Sequence, residues 1–285
     1  METGLTQSNN VVIDNTFVAQ DSGIYQLLVH FDGFVLNYGV VDPGTNVFIV
    51  IGKEMKRDSQ SNTSFFQDIF QKNDILKLEF KNAALTISGL PSTLVPTSYF
   101  EEEKAQELLS FTSGVDVVEI DFKNIPKLKA TIVHENDDKI SSIFLEKHPY
   151  GKVFLNSGLL LESLMRVNRY DTSERLYIDI RHDSFDLFVF RKGKLILYNQ
   201  FDTETPNDLL YHVLNTSQQL EVDIKKAAVL VSGEIQKEGE QYSLLSEYIK
   251  KLSLNIGLDD YEYGLQLKNV EAYQYMSLLN LSVCV

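Results

Sequence analysis

The feature that most constrains the fold of this chain is one order of apolar segments that occurs twice. The segments of the first half are three apolar stretches, a helical pattern and a β-branched run, at residues 25–31, 34–41, 46–52, 63–72 and 83–89. Those of the second half follow the same order, at residues 176–180, 185–190, 195–201, 206–214 and 227–233. A strand–strand–strand–helix–strand order repeated within one chain predicts two related α/β halves.

Turn residues divide the strands in both halves. Asp32-Gly33 and the Asp-Pro-Gly run at 42–44 separate the first three stretches, and Lys192-Gly193 forms the second turn of the later half. Pro206 suits the first turn of a helix, where its missing N–H has no partner to lose. The runs 83–89 and 227–233, 144 positions apart, both end in Ser-Gly and are typical of buried parallel strands. Each half is therefore predicted to hold a mixed five-stranded sheet with helices.

The remaining chain extends this α/β pattern. Residues 128–134 and 152–155 are predicted strands. Periodicity predicts helices at residues 100–109, 138–147, 157–167, 240–252 and 271–281. Ser157 is the expected N-cap of its helix. A polar stretch at 168–174 places the predicted domains at residues 1–170 and 171–285.

The charge of the chain argues against nucleic acid as its partner. It has 26 basic and 40 acidic residues, a formal net charge of −14. Binding to a phosphate backbone requires a basic footprint that releases counterions, and the basic runs here are short. An acidic surface of this kind favours solubility.

The expected location is the cytoplasm. Cys284 is the single cysteine, so no disulfide can form within the chain, which agrees with a reducing compartment. The first ten residues lack the basic and apolar regions of a secretory signal, and the apolar runs are of strand length rather than membrane-span length. We therefore expect no direct membrane insertion.

Three segments carry a resemblance to a known superfamily. Residues 176–190, Leu-Tyr-Ile-Asp-Ile-Arg-His-Asp-Ser-Phe-Asp-Leu-Phe-Val-Phe, resemble the second phosphate loop of the actin-like ATPases, the superfamily of actin, hexokinase and Hsp70. Residues 229–234 resemble its adenosine-contacting strand and turn, and residues 270–279 its last helix. The chain looks similar to the actin-like proteins of type IV pilus assembly and type II secretion, and most like an uncharacterised Bacteroidetes family of actin-like fold. The resemblance implies a duplicated ribonuclease H-like fold.

The same resemblance implies a set of nucleotide-binding positions. Asp179 matches the carboxylate of the second phosphate loop, Ser184 a following hydroxyl residue, and Ser232 and Gly233 the adenosine turn. Arg181 stands where the superfamily has glycine, and its Cβ obstructs close approach of a phosphate to the main chain. If a nucleotide binds, these five residues would hold ATP and Mg²⁺.

The first phosphate loop departs further from the superfamily pattern. Aligning Tyr25 with Tyr177, an offset of 152, places Leu27 opposite Asp179 and Val29 opposite Arg181. In that alignment the first loop has neither carboxylate nor glycine, and Asp32-Gly33 is a hairpin turn. The adenosine turn keeps one glycine of the usual pair. The loops are therefore predicted to be degenerate.

Two other kinds of site are open from the residues. His30 and His182 are equivalent at the offset of 152, so they are either a pair facing the cleft between the halves or unrelated loop residues. Asp179, Asp183 and Asp186 are either metal-binding carboxylates, as in nucleases of the related fold, or part of a turn and a solvated edge. The five histidines lack the spacing of a zinc site, and no metal is expected.

The sequence favours a non-catalytic actin-like protein that acts as an assembly or interaction module with a protein partner. The alternative is a divergent ATPase or small-molecule kinase that binds nucleotide between the halves through Asp179, Arg181 and Ser184. The sequence leaves open whether the chain is an enzyme, and it leaves the oligomeric state and the identity of the partner open as well.

Overall fold

A computed structural model describes residues 11–255 and 262–282. The strands are β1 (Val11–Ile13), β2 (Gln26–Phe31), β3 (Val35–Asp42), β4 (Val47–Met55), β5 (Asn82–Ile87), β6 (Ser92–Pro96), β7 (Ile120–Ile125), β8 (Ala130–Glu135), β9 (Lys152–Leu155), β10 (Glu174–Ile180), β11 (Ser184–Arg191), β12 (Lys194–Asp202), β13 (Ala228–Gly233), β14 (Leu252–Leu254) and β15 (Glu262–Tyr263). The helices are α1 (Asn62–Lys72), α2 (Ala105–Ser113), α3 (Asp138–Lys147), α4 (Asn156–Asn168), α5 (Pro206–Gln219), α6 (Glu240–Tyr248) and α7 (Met276–Ser282). The α/β class expected from the sequence is confirmed.

Two sheets share one topology. The second sheet has the order β12-β11-β10-β13-β14, and the first contains the matching order β4-β3-β2-β5-β9. In each, three antiparallel strands are followed by two parallel ones. The predicted five-stranded arrangement holds for the second sheet, whereas β1 and β15 extend the first sheet to seven strands by pairing with β4.

The structure fixes the register between the halves at an offset of 149. A β-bulge falls between Val40 and Val41 in the first sheet and between Val189 and Phe190 in the second. The hairpins that follow β2 and β10 also close alike, since Asp32 N–H donates to the carbonyl of Val35 as Arg181 N–H donates to that of Ser184. The predicted offset of 152 is therefore wrong by three residues.

The Ser-Gly match between the halves is also not a structural equivalence. Phe31 pairs with Ile87 in the first sheet, and Ile180 pairs with Gly233 in the second. Gly233 therefore corresponds to Ile87, an offset of 146 rather than 144. The register of a strand is set by its neighbours and its turn, and a short sequence match does not override them.

Both faces of the central strands are buried, which explains their unbroken apolar sequence. Leu27, Val29 and Phe31 pack into the core beneath α1 and α3, whereas Leu28 packs into the core on the opposite face, which α7 covers. The second sheet behaves in the same way: Ile178 faces α5 and α6, and Tyr177 faces α4. Alternate residues of a strand point to opposite faces, so a strand covered on both sides is apolar throughout.

A third sheet is inserted into the first half. It has the antiparallel order β6-β8-β7, and α2 packs on it through Ala105 and Leu109. The predicted strand at 128–134 corresponds to β8, but β6 and β7 were not predicted. The helix predicted at 100–109 begins later, at Ala105, after a short 3₁₀ turn.

The C-terminal segment returns to the first half. β15 pairs in parallel with β4, and the side chains of α7 pack with Leu28 of β2 and Ala84 of β5. β15 and α7 thus pack on the first sheet, whereas Tyr273 between them belongs to the core of the second half. The predicted boundary assigns the whole segment to the second domain. The boundary between residues 170 and 171 stays a prediction for the remaining chain.

Several helix ends differ from the prediction. Helix α4 begins at Asn156, and its N-cap position is Leu155, so Ser157 lies inside the helix and is not its cap. The helix predicted at 240–252 corresponds to α6, which ends at Tyr248. Leu252, the last residue of the predicted range, is the first residue of β14. Pro206 is confirmed in the first turn of α5, behind a capping box formed by Thr205 and Asp208. Within the described parts of the chain, no helix has the length and apolar character needed to cross a membrane.

Candidate functional site

The candidate site lies where the carboxyl ends of the parallel strands of both sheets meet. In the first sheet these ends are followed by Asp32, Ser88 and Asn156, after β2, β5 and β9. In the second sheet Arg181 and Glu234 follow β10 and β13. Open α/β sheets bind ligands at the carboxyl ends of their strands, because loops and helix starts leave backbone donors there.

The loop of the first hairpin satisfies its own backbone donors. The buried Asp32 carboxylate accepts hydrogen bonds from the N–H groups of Phe34 at 2.8 Å and Val35 at 2.6 Å. Gly33 adopts a φ of 92°, which only glycine adopts readily. Burial raises the pKa of Asp32 above its ordinary value, although the two N–H donors oppose that change. The N–H groups that a phosphate would need are already bonded to a carboxylate.

This loop corrects the prediction for the first phosphate loop. At the structural offset of 149, Asp32 corresponds to Arg181 and His30 corresponds to Asp179. Asp32-Gly33 is the turn of the β2–β3 hairpin, as predicted. The positions that match Asp179 and Arg181 carry His30 and Asp32, so the first loop still lacks a carboxylate at the first of these positions and a glycine at the second. Leu27 and Val29 are core residues of β2 and not loop positions.

The second loop is dominated by a buried ion pair. Arg181 and Asp186 are 4% and 1% exposed, and their Nη1 and Oδ2 atoms lie 2.9 Å apart. The guanidinium also donates from Nη2 to Asp186 Oδ1 at 3.2 Å and from Nε to Ser184 Oγ at 3.1 Å. Burial opposes the charge on Arg181, but the Asp186 carboxylate outweighs that effect and raises the pKa of the guanidinium. The arginine is therefore held in place by its own hairpin.

Asp179 lies beside this pair. It is directly opposite Asp186 across the β10–β11 ladder, so the two side chains share one face of the sheet. Burial raises the pKa of Asp179 to about 6; Asp186 adds to the shift, and Arg181 opposes it. Its Oδ1 accepts a hydrogen bond of 2.7 Å from the hydroxyl of Ser232. The structure thus brings together four predicted site residues: Asp179, Arg181, Ser184 and Ser232.

The fifth predicted residue, Gly233, has a structural reason to be glycine. Its φ is 89°, and a Cβ at this position would lie 2.1 Å from the carbonyl oxygen of Ile180. The next residue, Glu234, donates its N–H to the same carbonyl at 2.8 Å. The close approach is between two strands of one sheet, so the glycine is needed for strand packing whether or not a nucleotide binds.

Side chains from the two halves meet across the site. Lys53 Nζ lies 2.7 Å from Glu234 Oε1, and the Phe34 and His182 rings are in contact, tilted by 33° with centroids 4.3 Å apart. The position of a Cβ on Gly89 would lie 3.8 Å from Arg181 Nε. Contacts between the halves therefore close this edge of the cleft.

The two histidines are not equivalent in the structure. His182 corresponds to Gly33, whereas His30 corresponds to Asp179. His30 is buried, its Nε2 lies 2.8 Å from Ser88 Oγ, and burial lowers its pKa to about 3, with Arg181 contributing. His30 is therefore neutral at physiological pH. The predicted equivalence of His30 and His182 in the repeat is wrong in register, although both residues lie at the site.

Sequence reasoning missed one polar residue here. Asn156, at the start of α4, is fully buried, and neither amide atom has a hydrogen-bond partner within residues 11–255 and 262–282. The signal available in the sequence was a polar residue, Asn156, directly after the apolar strand β9. The same described residues contain no group of three or more His, Cys, Asp or Glu side chains arranged to hold a metal ion.

Comparison with known proteins places the chain in a family. The family described as "Protein of unknown function (DUF3822)" matches residues 14–252. The chain belongs to this family. The match includes both hairpin loops, Arg181 and the Ser232–Gly233 turn, so the site lies within the part that defines the DUF3822 family. No curated protein sequence matches the chain.

Solved structures establish the fold of this DUF3822 member. A Bacteroides thetaiotaomicron VPI-5482 protein, described as having an actin-like ATPase fold and unknown function, is 19% identical with a TM-score of 0.77. The match covers 95% of this chain and 100% of that one. A chain of the PilM–PilN type IV pilus biogenesis complex is 11% identical with a TM-score of 0.60, over 92% and 98% of the two chains. The chain has the actin-like ATPase fold expected from the sequence.

Proposed function

We propose that this protein is a non-catalytic member of the actin-like fold, with a degenerate nucleotide site, that acts as an assembly or interaction module. The observation that carries the proposal is the Arg181 side chain, buried and paired with Asp186 at the loop where the fold would grip a phosphate. The charge of the guanidinium is paired with Asp186, and two of its nitrogens, Nε and Nη2, donate within the same hairpin. Its Nη1 has no hydrogen bond among the described residues, so a phosphate would gain one donor but would compete with Asp186 for the charge.

The backbone of the first loop supports the same proposal. Phosphoryl transfer depends on N–H donors that point at the phosphates and on a metal that neutralises their charge. Here the N–H groups of Phe34 and Val35 donate to the Asp32 carboxylate. A phosphate would have to displace that carboxylate and lose its own water shell next to a second negative charge. An anion would therefore gain little free energy by moving from water to this loop.

The test is a calorimetric titration of the full chain with ATP and Mg²⁺, combined with a phosphate-release assay. We expect no saturable heat up to millimolar ATP and no turnover above the blank. A competent actin-like ATPase run in the same buffer is the positive control. Micromolar binding with turnover that Asp179→Ala abolishes would contradict the proposal.

A second candidate is a divergent ATPase or small-molecule kinase that takes ATP and Mg²⁺ between the halves. It is favoured by Asp179, whose pKa of about 6 is typical of functional carboxylates. It is also favoured by Asn156 at the same edge, whose amide has no hydrogen-bond partner in the part of the chain that the structure describes. This candidate predicts that Asp179→Ala removes turnover while the far-ultraviolet circular dichroism spectrum is unchanged. Turnover that persists in Asp179→Ala would refute it.

We further propose a cytoplasmic location and a protein partner rather than nucleic acid. The net charge of −14 opposes binding to polyanions, and the structurally similar chain from the pilus complex is solved with a protein partner. Fractionation of cells that express the tagged chain tests the location; recovery in the washed membrane fraction would contradict it.

A further inference from the structure

A large groove lies between the two halves, and its lining includes none of the five predicted nucleotide-site residues. It has a volume of about 1080 Å³ and is lined by the β7–β8 turn, one side of α4, the β11–β12 turn and Asn280 of α7. The first of these turns belongs to the three-stranded sheet and the second to the second half. An occupant of this groove would therefore contact both halves at once.

The floor of the groove is apolar. Ile125 and Leu159 are buried, and Leu128, Met165 and Leu195 are partly buried beside them. Most of these side chains belong to the core cluster beneath α4, so the floor is the open end of a packed core. Apolar surface of this kind gains free energy when a ligand removes it from water.

The rim of the groove is basic, unlike the chain as a whole. Lys127, Arg169 and Lys194 are exposed around the apolar floor, and Arg166 lines the same side of α4. Among the described residues that line the groove, Glu162 is the one acidic side chain, and its Oε1 lies 2.7 Å from Lys123 Nζ. A local excess of positive charge on a chain of net charge −14 attracts an acidic ligand to this place in particular.

One wall of the groove, the β11–β12 turn, packs closely on the end of α4. The β11–β12 turn uses Lys192 and Gly193 at φ values of 51° and 74°, and a Cβ on Gly193 would lie 2.8 Å from the carbonyl oxygen of Asn168. The buried Asn168 side chain in turn donates to Leu164 O at 2.7 Å and to Tyr177 Oη at 3.0 Å. This turn is therefore locked onto the end of α4, and a preformed site binds without the cost of ordering its walls.

We propose that this groove binds a short acidic segment of a partner protein, with apolar side chains on the floor and carboxylates against Lys127, Arg169 and Lys194. A nucleic acid would extend beyond the basic rim and be opposed by the net charge of −14, whereas a short peptide neutralises only the rim. A small inorganic anion would leave the floor in water. The proposal rests on the interaction role inferred above and names the chemistry of the partner.

The test measures fluorescence anisotropy of a labelled ten-residue peptide of alternating leucine and glutamate. We expect saturable binding to the full chain that weakens as salt is raised, because exposed ion pairs are screened. A peptide with lysine in place of each glutamate should not bind. Lys127→Glu/Lys194→Glu should weaken binding roughly tenfold or more, since two attractive contacts become repulsive.

The matched control is Lys250→Glu/Lys251→Glu, which changes the net charge equally at two exposed lysines outside the groove lining. Equal weakening by the control variant, or no binding by the parent chain, would overturn the proposal. Binding of phosphatidylserine vesicles in place of the peptide, lost in Lys127→Glu/Lys194→Glu, would also overturn it in favour of an anionic lipid. None of these results bears on ATP binding, so failure here is distinguishable from failure of the non-catalytic proposal.

Discussion

The buried pair of Arg181 and Asp186 makes a prediction that can be worked through in free energy. Asp186→Asn keeps the side-chain shape but leaves the guanidinium of Arg181, 4% exposed, without its paired carboxylate, and only the smaller attraction of Asp179 remains beside it. At about 4 Å and an effective dielectric constant of ~20, the lost attraction is about 4 kcal/mol, close to the ~3–5 kcal/mol that breaking a buried pair costs. We therefore expect Asp186→Asn to lower the free energy of unfolding by about 4 kcal/mol.

The double variant Arg181→Met/Asp186→Leu should behave differently from either single change. It removes both charges of the pair, and the neighbouring Asp179 loses the attraction of Arg181 and the repulsion of Asp186 together. Replacing a buried pair by apolar residues of similar size is often neutral. We expect it to recover most of the loss, with a total cost of about 1 kcal/mol or less.

The assay is urea unfolding of the two variants and the parent, followed by circular dichroism. Lys123→Met, which breaks the exposed pair with Glu162, is the control and should cost less than about 1 kcal/mol. The reasoning is refuted if Asp186→Asn costs no more than this control, because a water-filled cleft would hydrate the lone arginine. It is equally refuted if the double variant is no more stable than Asp186→Asn.

Three further predictions concern other residues of the site. Burial raises the folded pKa of Asp179 to about 6, so the protonated carboxyl stabilises the fold, and this contribution is lost as pH rises from about 4 through 6. Asp179→Asn should therefore raise the urea midpoint of unfolding at pH 8 and change it little at pH 4. Equal effects at the two pH values would contradict the pKa shift. Gly233→Ala should lower the free energy of unfolding in urea by more than about 2 kcal/mol, because strain at positive φ adds to a backbone clash. Gly114→Ala is the control, since Gly114 has a positive φ but open space around it. An equal cost in both variants would show that the close approach of Gly233 to Ile180 does not matter. Lys53→Met should lower the free energy of unfolding by about 1 kcal/mol, since the lysine side chain is 21% exposed and its partner Glu234 lies across the cleft. Because the Debye length in 1 M salt is about 3 Å, this loss should become smaller there. A loss of the same size in 1 M salt would contradict an ion-pair origin.

The repeat in the sequence was sufficient to predict the shared topology of the two sheets. Asp32-Gly33 and Lys192-Gly193 are turn residues with little conformational alternative, so they located the hairpins in both halves. The helix at residues 63–72 has apolar residues on one face, and it appears as α1 with that face buried. Local signals of this strength survive tertiary packing.

The register between the halves was not predictable from the same signals. Residues of β2 and β10 are buried on both faces, so their sequence carries no alternation that would distinguish inward from outward positions. The similarity of Tyr25 to Tyr177 then outweighed the turns, although Tyr25 precedes β2 and Tyr177 lies within β10. Because the error was three residues, Leu27 and Val29 were compared with Asp179 and Arg181 in place of His30 and Asp32.

The inserted sheet and the returning C-terminal segment depend on contacts distant in sequence. Residues 120–125 alternate Ile120 and Phe122 with polar residues, which was a weak signal for β7. The pairing of Glu262 with Val47 spans most of the chain, and no local pattern encodes it. Likewise, the ion pair at the site required knowing that the β10–β11 hairpin turns Arg181 back over Asp186.

The central claim is that side chains of the protein occupy the place where an actin-like fold would hold nucleotide phosphates. A crystal structure of the full chain grown with ATP and Mg²⁺ tests it most directly. We predict that the Arg181–Asp186 pair remains closed, that Phe34 and Val35 still donate to Asp32, and that no nucleotide lies between the sheet edges. Density for ATP in contact with both hairpin loops, with Mg²⁺ beside Asp179 and Arg181 displaced from Asp186, would contradict the claim.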